Sequence, residues 1–247
     1  MNDLQAVVLA GGRGVRLRPY TTNIPKPLVP IGDEYAILEI VLRQLASFGF
    51  SKVTLAIGHL GTLIRAFVRD GAQFGIEVEY HDEPAPLGTI GPLLTMMDRL
   101  PEHFLLMNGD ILTDMNHADL LRHHIQVGAP LTVGTYKRDV KIDFGVLEES
   151  DGKIVHFVEK PTLYYSVSMG IYGLTRKTLE AYPRGVPFGF DELVLDLLAK
   201  GNNPATFEWG GYWFDIGRPD DYDAANTAFE TLKDLLLPDG HPPISRE

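Results

Sequence analysis

"LAGGRGVRLRPYTTNIPKPLVPI", residues 9 to 31, holds four cations, three glycines within four positions, and no acidic residue. The cations are Arg13, Arg16, Arg18 and Lys26; the glycines are Gly11, Gly12 and Gly14. The 247-residue chain around this stretch is acidic, with 33 Asp and Glu against 22 Lys and Arg and a net charge of −11. Residues 4 to 32 alone carry +4, which leaves −15 for the remainder. A small cationic island in an acidic protein suits capture of a compact anion better than of a long polyanion. The acidic total argues against nucleic acid as a partner, since such binding normally needs a basic surface.

Leu4 to Leu9, ahead of the loop, is apolar except for Gln5 and reads as a buried strand. The C-terminal end of such a strand is where an open α/β sheet takes its ligand. Glycines there let backbone N–H groups approach phosphate oxygens with no Cβ in the way. The stretch does not fit the P-loop pattern G-x-x-x-x-G-K-[ST]. It also misses the dinucleotide fingerprint, because Leu17 stands where the third glycine belongs, and the second strand ends in Gly58-His59 with no acid for a ribose. Arginines stay charged and bond phosphate in a bidentate fashion, so two of them beside a glycine loop suit a triphosphate. Lys26, set between Pro25 and Pro27, has a restricted backbone that fixes where its ammonium points.

Outward from this loop, the pattern alternates. Leu38, Val41, Leu42 and Leu45 follow helical spacing; 52–57 reads as a strand, 60–70 as a helix, 76–80 as a strand, 90–100 as a helix, 104–107 as a buried strand and 118–127 as a helix. Such alternation implies an α/β fold: a Rossmann-like, mostly parallel sheet flanked by helices. Beyond residue 130 short strands dominate, at 131–136, 145–148, 154–159 and 167–173, with Ser150-Asp151-Gly152 as a hairpin turn. Helices return at 175–182 and 190–200, and a last one runs from Pro219 to about Leu236 with Tyr222, Ala225, Phe229, Leu232 and Leu236 on one face. The expectation is one domain over 1–237, whose second half adds a small antiparallel lid part to a nucleotide-binding half, followed by a flexible tail over 238–247.

The chain has no cysteine, which excludes disulfides and thiolate metal sites. The eight histidines lack H-E-x-x-H or H-x-H spacing, so zinc is not expected; His123-His124 reads as helix surface. Met1-Asn2-Asp3 has no basic n-region, and no apolar run approaches the roughly 18 residues of a membrane span. The expected location is cytoplasmic, with no membrane partner.

The motifs Gly11-Gly12-x-Gly14-x-Arg16-Leu17-x-Pro19 and Pro25-Lys26-Pro27-Leu28-x-Pro30 resemble the signature of the sugar-1-phosphate nucleotidylyltransferases, most closely the guanylyltransferases for mannose or heptose 1-phosphate. The resemblance continues through Pro86-Leu87-Gly88-Thr89, Asn108-Gly109-Asp110, Phe144-Gly145-Val146, Val158-Glu159-Lys160-Pro161 and Trp213-Phe214-Asp215-Ile216-Gly217. It implies the reaction NTP plus sugar 1-phosphate to NDP-sugar plus pyrophosphate, with the triphosphate and the sugar phosphate as the partners. It implies Mg²⁺ on Asp110 and Asp215, which agrees with the oxygen ligands that ion prefers. Arg16 falls on the phosphates that leave, and Lys26 on the α-phosphate and the incoming sugar phosphate. Leu9, Gly11, Gly12, Arg13, Gly14, Glu83, Pro86, Gly88 and Thr89 fall at the nucleotide. Asn108, Gly145, Glu159, Lys160, Ser168 and Gly170 fall at the sugar. Asp114 reads as a turn or capping residue.

Two departures stand out. Ser168-Met169-Gly170 replaces the Asn-Ala-Gly of many relatives and leaves the sugar open, and Arg218 stands where relatives often have a small or uncharged residue. Glu83 takes the place of a Gln common in thymidylyl and uridylyl enzymes. A carboxylate can accept from the two adjacent donors of guanine but faces the carbonyls of uracil or thymine unfavourably, so GTP is favoured over UTP, dTTP or CTP. Competing readings are a glycosyltransferase with a similar sheet, which usually carries D-x-D where Asp110 stands alone, and a non-catalytic nucleotide or sugar sensor. Any homo-oligomer is expected to form through the catalytic domain itself.

Overall fold

The computed structural model describes residues 3–32 and 34–237; the expected tail over 238–247 lies outside the described residues. In chain order the elements of the first half are β1 (Leu4–Leu9), β2 (Pro30–Ile31), β3 (Tyr35–Ala36), α1 (Ile37–Ser47), β4 (Phe50–Ile57), α2 (Gly61–Val68), β5 (Glu77–Asp82), α3 (Gly91–Thr95), β6 (His103–Asn108), β7 (Ile111–Thr113) and α4 (His117–Val127). The second half adds β8 (Leu131–Lys141), β9 (Val146–Ser150), β10 (Lys153–Val158), β11 (Thr162–Thr175), α5 (Arg176–Leu179), α6 (Phe190–Ala199), β12 (Ala205–Trp209), β13 (Trp213–Asp215) and α7 (Pro219–Leu236).

The main sheet runs β12-β8-β11-β6-β1-β4-β5. The β1–β4, β1–β6, β4–β5 and β8–β12 pairs are parallel, and β11 is antiparallel to both β6 and β8. Why β1 and β6 are apolar without interruption follows from this position. Ala6 and Val8 enter the core on one face of the sheet, Val7 the core on the other; Leu105 and Met107 likewise oppose Phe104 and Leu106. The chain passes from β1 to β4 and β5 on one side, then crosses to β6 on the other side of β1. That reversal is the switch point at which open α/β sheets bind ligands, beyond the carboxyl ends of the strands.

A third core lies beneath the glycine–arginine loop. Tyr222, Ala225, Phe229, Leu232 and Leu236 on α7 pack on Leu17, Val29, Ile31, Tyr35, Ile37 and Ile40. A fully buried side chain such as Phe229 stabilises by about 1.5–3 kcal/mol. Tyr222 adds an O–H bond to the Pro30 carbonyl at 2.9 Å. The last helix therefore anchors the segment that carries Arg16 and Lys26.

Several elements differ from the sequence expectation. The helix expected over 90–100 breaks at Met96, whose φ of −110° and ψ of 13° leave helical geometry, and resumes as a single 3-10 turn at Met97–Arg99. The helix expected over 175–182 is only Arg176–Leu179, because Pro183 disfavours helical backbone just before it. β11 is twice the expected length, since β8 extends beside it and pairs from Thr162–Lys141 to Leu174–Leu131. β12 was not expected, although Ala205, Phe207 and Trp209 alternate inward along it. β9 and β10 form the expected hairpin through Asp151 and Gly152, whose φ values of 52° and 73° fit a tight two-residue turn. His124 is fully buried and bonded to Thr132 and Thr175 rather than lying on the helix surface.

Candidate active site

Three backbone bonds gather the loops at the switch point. The Gly109 amide donates to the Leu9 carbonyl at 2.9 Å, Ala10 to Ala56 at 2.8 Å, and Glu83 to Ile57 at 2.8 Å. The ends of β1, β4, β5 and β6 are thereby brought together. Gly11 lies close under Glu83 and beside Gly58: a Cβ on it would come 2.8 Å from Glu83 Oε1, which would have to swing aside, and 3.3 Å from the Gly58 amide nitrogen. Gly14 takes a left-handed conformation, φ 58°, and turns the chain into the 3-10 turn Val15–Leu17; Thr21 fixes that corner by donating its hydroxyl to the Gly14 carbonyl at 2.7 Å. Lys26 begins a second 3-10 turn, Lys26–Leu28, and is 8% exposed.

A cavity of about 500 Å³ opens at this point. Leu9, Gly11, Gly12, Arg13, Glu83, Pro86, Gly88, Thr89, Lys26, Asn108 and Asp110, all picked out in the sequence, line it; Ala10, Pro27 and Leu87 complete the wall. Gly14 stands outside it and acts as the corner. The Pro86–Thr89 segment is strapped to the loop before α6, with Phe188 N–H donating to Leu87 at 2.9 Å and Ile90 N–H to Phe188 at 3.0 Å. Burial raises the Glu83 pKa above the ordinary carboxylate value, against the lowering effect of a hydrogen bond from the Leu87 backbone.

Asp110 and Asp215 meet through a short ribbon. β7 and β13 pair antiparallel, with Asp215 opposite Ile111, and the Ile216 amide donates to the Asp110 carbonyl at 3.2 Å. Lys26 Nζ donates to Asp110 Oδ2. Asp110 Oδ1 is buried and has no hydrogen-bond partner among the described residues. The Asp215 side chain reaches solvent, yet loss of hydration and the Asp110 carboxylate raise its pKa, while Lys26 and Arg16 pull it down. A partnerless carboxylate oxygen facing a second acid is a donor set that fits a hard divalent cation completed by phosphate and water. No group of three or more His, Cys, Asp or Glu that could hold a metal occurs among the described residues.

Arg16 and Asp215 line a second cavity of about 660 Å³, with Tyr136 and Arg138 from β8, Trp213, and Arg218 with Asp221 at the start of α7. The sugar positions of the sequence reading are divided. Gly170 backs onto Asn108, since a Cβ on it would come within 2.8 Å of Asn108 Nδ2. Ser168 donates to the Tyr172 hydroxyl at 3.2 Å and accepts from the Gly170 amide at 3.3 Å. Gly145 and Glu159 are neighbours, with Glu159 Oε2 3.2 Å from the site of a Gly145 Cβ, and Lys160 follows with a φ of 44°. Those three sit exposed at the open end of the β9–β10 hairpin and line neither cavity.

The nucleotidyl transferase family profile matches residues 5–231. The chain belongs to this family. Among curated proteins, the chain is 32% identical over 228 residues to a probable mannose-1-phosphate guanylyltransferase 1 of Oryza sativa subsp. japonica, covering 89% of the chain and 63% of that protein. It is 31% identical over 226 residues to the mannose-1-phosphate guanylyltransferase catalytic subunit beta of Dictyostelium discoideum, covering 89% and 62%. It thus spans less than two thirds of those relatives' length. Among solved structures, HddC from Yersinia pseudotuberculosis complexed with GMP-PN superposes with a TM-score of 0.72 at 26% identity, covering 92% of this chain and 99% of HddC. A putative glucose-1-phosphate thymidylyltransferase from Bacillus anthracis shares the fold, with a TM-score of 0.72 at 22% identity and 96% of each chain covered. No helix among the described residues is long and apolar enough to cross a membrane.

Proposed function

We propose that this transferase moves a nucleotidyl group from an NTP, GTP by preference, to a hexose or heptose 1-phosphate, releasing pyrophosphate. The observation that carries the reading is the clustering of Lys26, Asp110, Asp215 and Arg16: Lys26 bonds Asp110, and all three other groups act on the Asp215 carboxylate. The guanylyltransferase relatives and the HddC complex with GMP-PN support the choice of base.

In the proposed reaction the nucleoside lies in the first cavity, against the glycine loop and Glu83. A sugar-phosphate oxygen attacks the α-phosphorus in line, and the bond to the bridging oxygen of the β-phosphate breaks. The attacking phosphate is already largely ionised near neutral pH, so no histidine base is needed. Positioning and charge neutralisation supply the acceleration. Lys26 holds its ammonium at the α-phosphate; Arg16 takes charge developing on the departing phosphates. Asp110 and Asp215 would hold Mg²⁺, which when bound neutralises phosphate charge. Glu159 and Lys160, at the open end of the β9–β10 hairpin, are assigned to the acceptor sugar.

The test is a grid of NTPs against hexose and heptose 1-phosphates with Mg²⁺ present, read as pyrophosphate release. Release with at least one pair, fastest with GTP, is expected. No release from any pair overturns the reading.

A further inference from the structure

Arg138 and Arg218 are not used by the chemistry above, and neither makes an ion pair among the described residues. Both line the second cavity together with Arg16, so three guanidinium groups face one space of about 660 Å³. Their placement is structural. Arg138 sits on the outward extension of β8, its guanidinium carbon 5.8 Å from the centroid of the Trp213 ring, and that ring packs against Tyr136 at 5.3 Å. Arg218 precedes Pro219 as the extended residue ahead of α7. Its neighbour Gly217 is close to both Arg16 and Asp215: a Cβ there would lie 3.8 Å from Arg16 Nη2 and 3.8 Å from Asp215 Oδ1.

We propose that this second cavity is a pyrophosphate site, in which Arg138 and Arg218 join Arg16 to hold the leaving group; the inference rests on the nucleotidyl-transfer reading. In-line displacement requires the nucleophile and the leaving group on opposite sides of the α-phosphorus. Lys26 and Asn108 line the first cavity, which the nucleoside takes in the proposed reaction. Arg16 lines the second cavity instead. One guanidinium answers one phosphate group in a bidentate manner, and pyrophosphate has two groups to satisfy. Four carboxylates, Asp139, Asp215, Asp220 and Asp221, share the wall. A bare anion would be repelled by them. Pyrophosphate paired with a divalent cation meets both signs of charge, and the mixed lining matches that form.

The experiment is titration calorimetry of pyrophosphate, in excess Mg²⁺, into the wild-type chain, Arg138→Gln, Arg218→Gln and Arg218→Lys. Both arginines are exposed, so thermal unfolding is expected to match wild type. Wild type should bind pyrophosphate, each Gln variant about tenfold more weakly, with partial recovery in Arg218→Lys, which keeps the charge but loses the fork. In turnover assays the KM for sugar 1-phosphate should change by less than about twofold, while product inhibition by pyrophosphate weakens. Absence of binding to wild type, unchanged binding in both Gln variants, or a rise in sugar 1-phosphate KM with pyrophosphate binding intact each overturns the proposal. If wild type binds pyrophosphate through these arginines but turns over no NTP, the pocket stands and the nucleotidyl-transfer reading fails.

Discussion

Asp110 and Asp215 come from opposite halves of the chain and are brought together by one step of a backbone ribbon, in which Asp215 faces Ile111 and Ile216 N–H donates to the Asp110 carbonyl. Their carboxylates are held at one place by the backbone, so the side chains can be altered without moving it. Asp110→Asn and Asp215→Asn should each lower turnover by about 100-fold or more, because charge on a transferring phosphate is left without its counter-ion. Thermal unfolding should stay near wild type. Asp215→Asn removes a carboxylate that Asp110 repels and is the better tolerated of the two in stability. A magnesium titration of activity and of melting temperature checks this. Undiminished turnover by either variant, or by wild type in excess chelator, would overturn the metal assignment.

In the proposed reaction Lys26 and Arg16 serve different atoms, so they should fail differently. Lys26 is buried and donates to Asp110, at the edge of the nucleotide cavity; Arg16 faces the second cavity. Lys26→Ala should lower kcat by roughly 100-fold with a small change in NTP affinity, since a charge aimed at the reacting phosphorus acts mainly in the transition state. Arg16→Ala should raise the KM for NTP as well as lower kcat. Small, equal losses from both would mean that the loop only shapes the backbone.

The sequence made this loop and the central strands legible because each carries its own local signal. Leu4–Leu9 and Phe104–Met107 are buried on both faces and read as apolar runs; Gly14 and the Pro25-Lys26-Pro27 triplet mark their own backbone. The ribbon that joins Asp110 to Asp215 was not legible, since strands of three residues show no period. Asp114 is instructive. It reads as a turn former, yet its Oδ1 accepts from Trp209 Nε1 at 2.9 Å and from the Tyr212 amide at 2.8 Å, tying the β12–β13 connection beside the site. Asn116, not Asp114, caps α4. Such long-range side-chain bonds leave no trace in local spacing. The burial of His124 was hidden for the same reason: it depends on β8 and β11, whose Thr132 and Thr175 supply its partners.

The buried histidines set an acid limit on stability. Burial lowers the pKa of His117 and of His124 from 6.5 to about 4. Below pH 6.5 the unfolded chain therefore binds protons that the folded chain refuses. Stability is complete above that pH and declines as pH falls towards 4, by about 3 kcal/mol per histidine at the acid end. His117 is the cleaner test, because neither ring nitrogen has a partner among the described residues and the ring packs against Phe48 at 5.7 Å. His117→Phe keeps an aromatic shape and removes the titration. Urea unfolding at pH 7 should be unchanged or slightly harder, and the loss between pH 6.5 and 4 should shrink by about half. Identical acid profiles for wild type and variant would show that His117 does not carry the effect.

In the proposed reaction Glu83 reads the base, through a carboxylate whose pKa burial raises. It reaches over Gly11, accepts from the Leu87 backbone, and has its pKa raised by burial. An ionised carboxylate can accept from guanine N1–H and N2–H together, whereas uracil and thymine would turn carbonyls towards it. A paired base contact of this kind is worth about 1–3 kcal/mol. Glu83→Gln should therefore erode the preference for GTP and improve use of UTP or dTTP, read as ratios of kcat/KM. The raised pKa adds a second signature. As pH falls through it, the carboxylate protonates and loses its acceptor pair, so the KM for GTP should rise from a higher pH than the ordinary Glu value of 4.5, and this rise should vanish in Glu83→Gln. A wild type that prefers UTP or dTTP, or a variant whose preference and pH profile match wild type, would mean that backbone groups read the base and Glu83 does not.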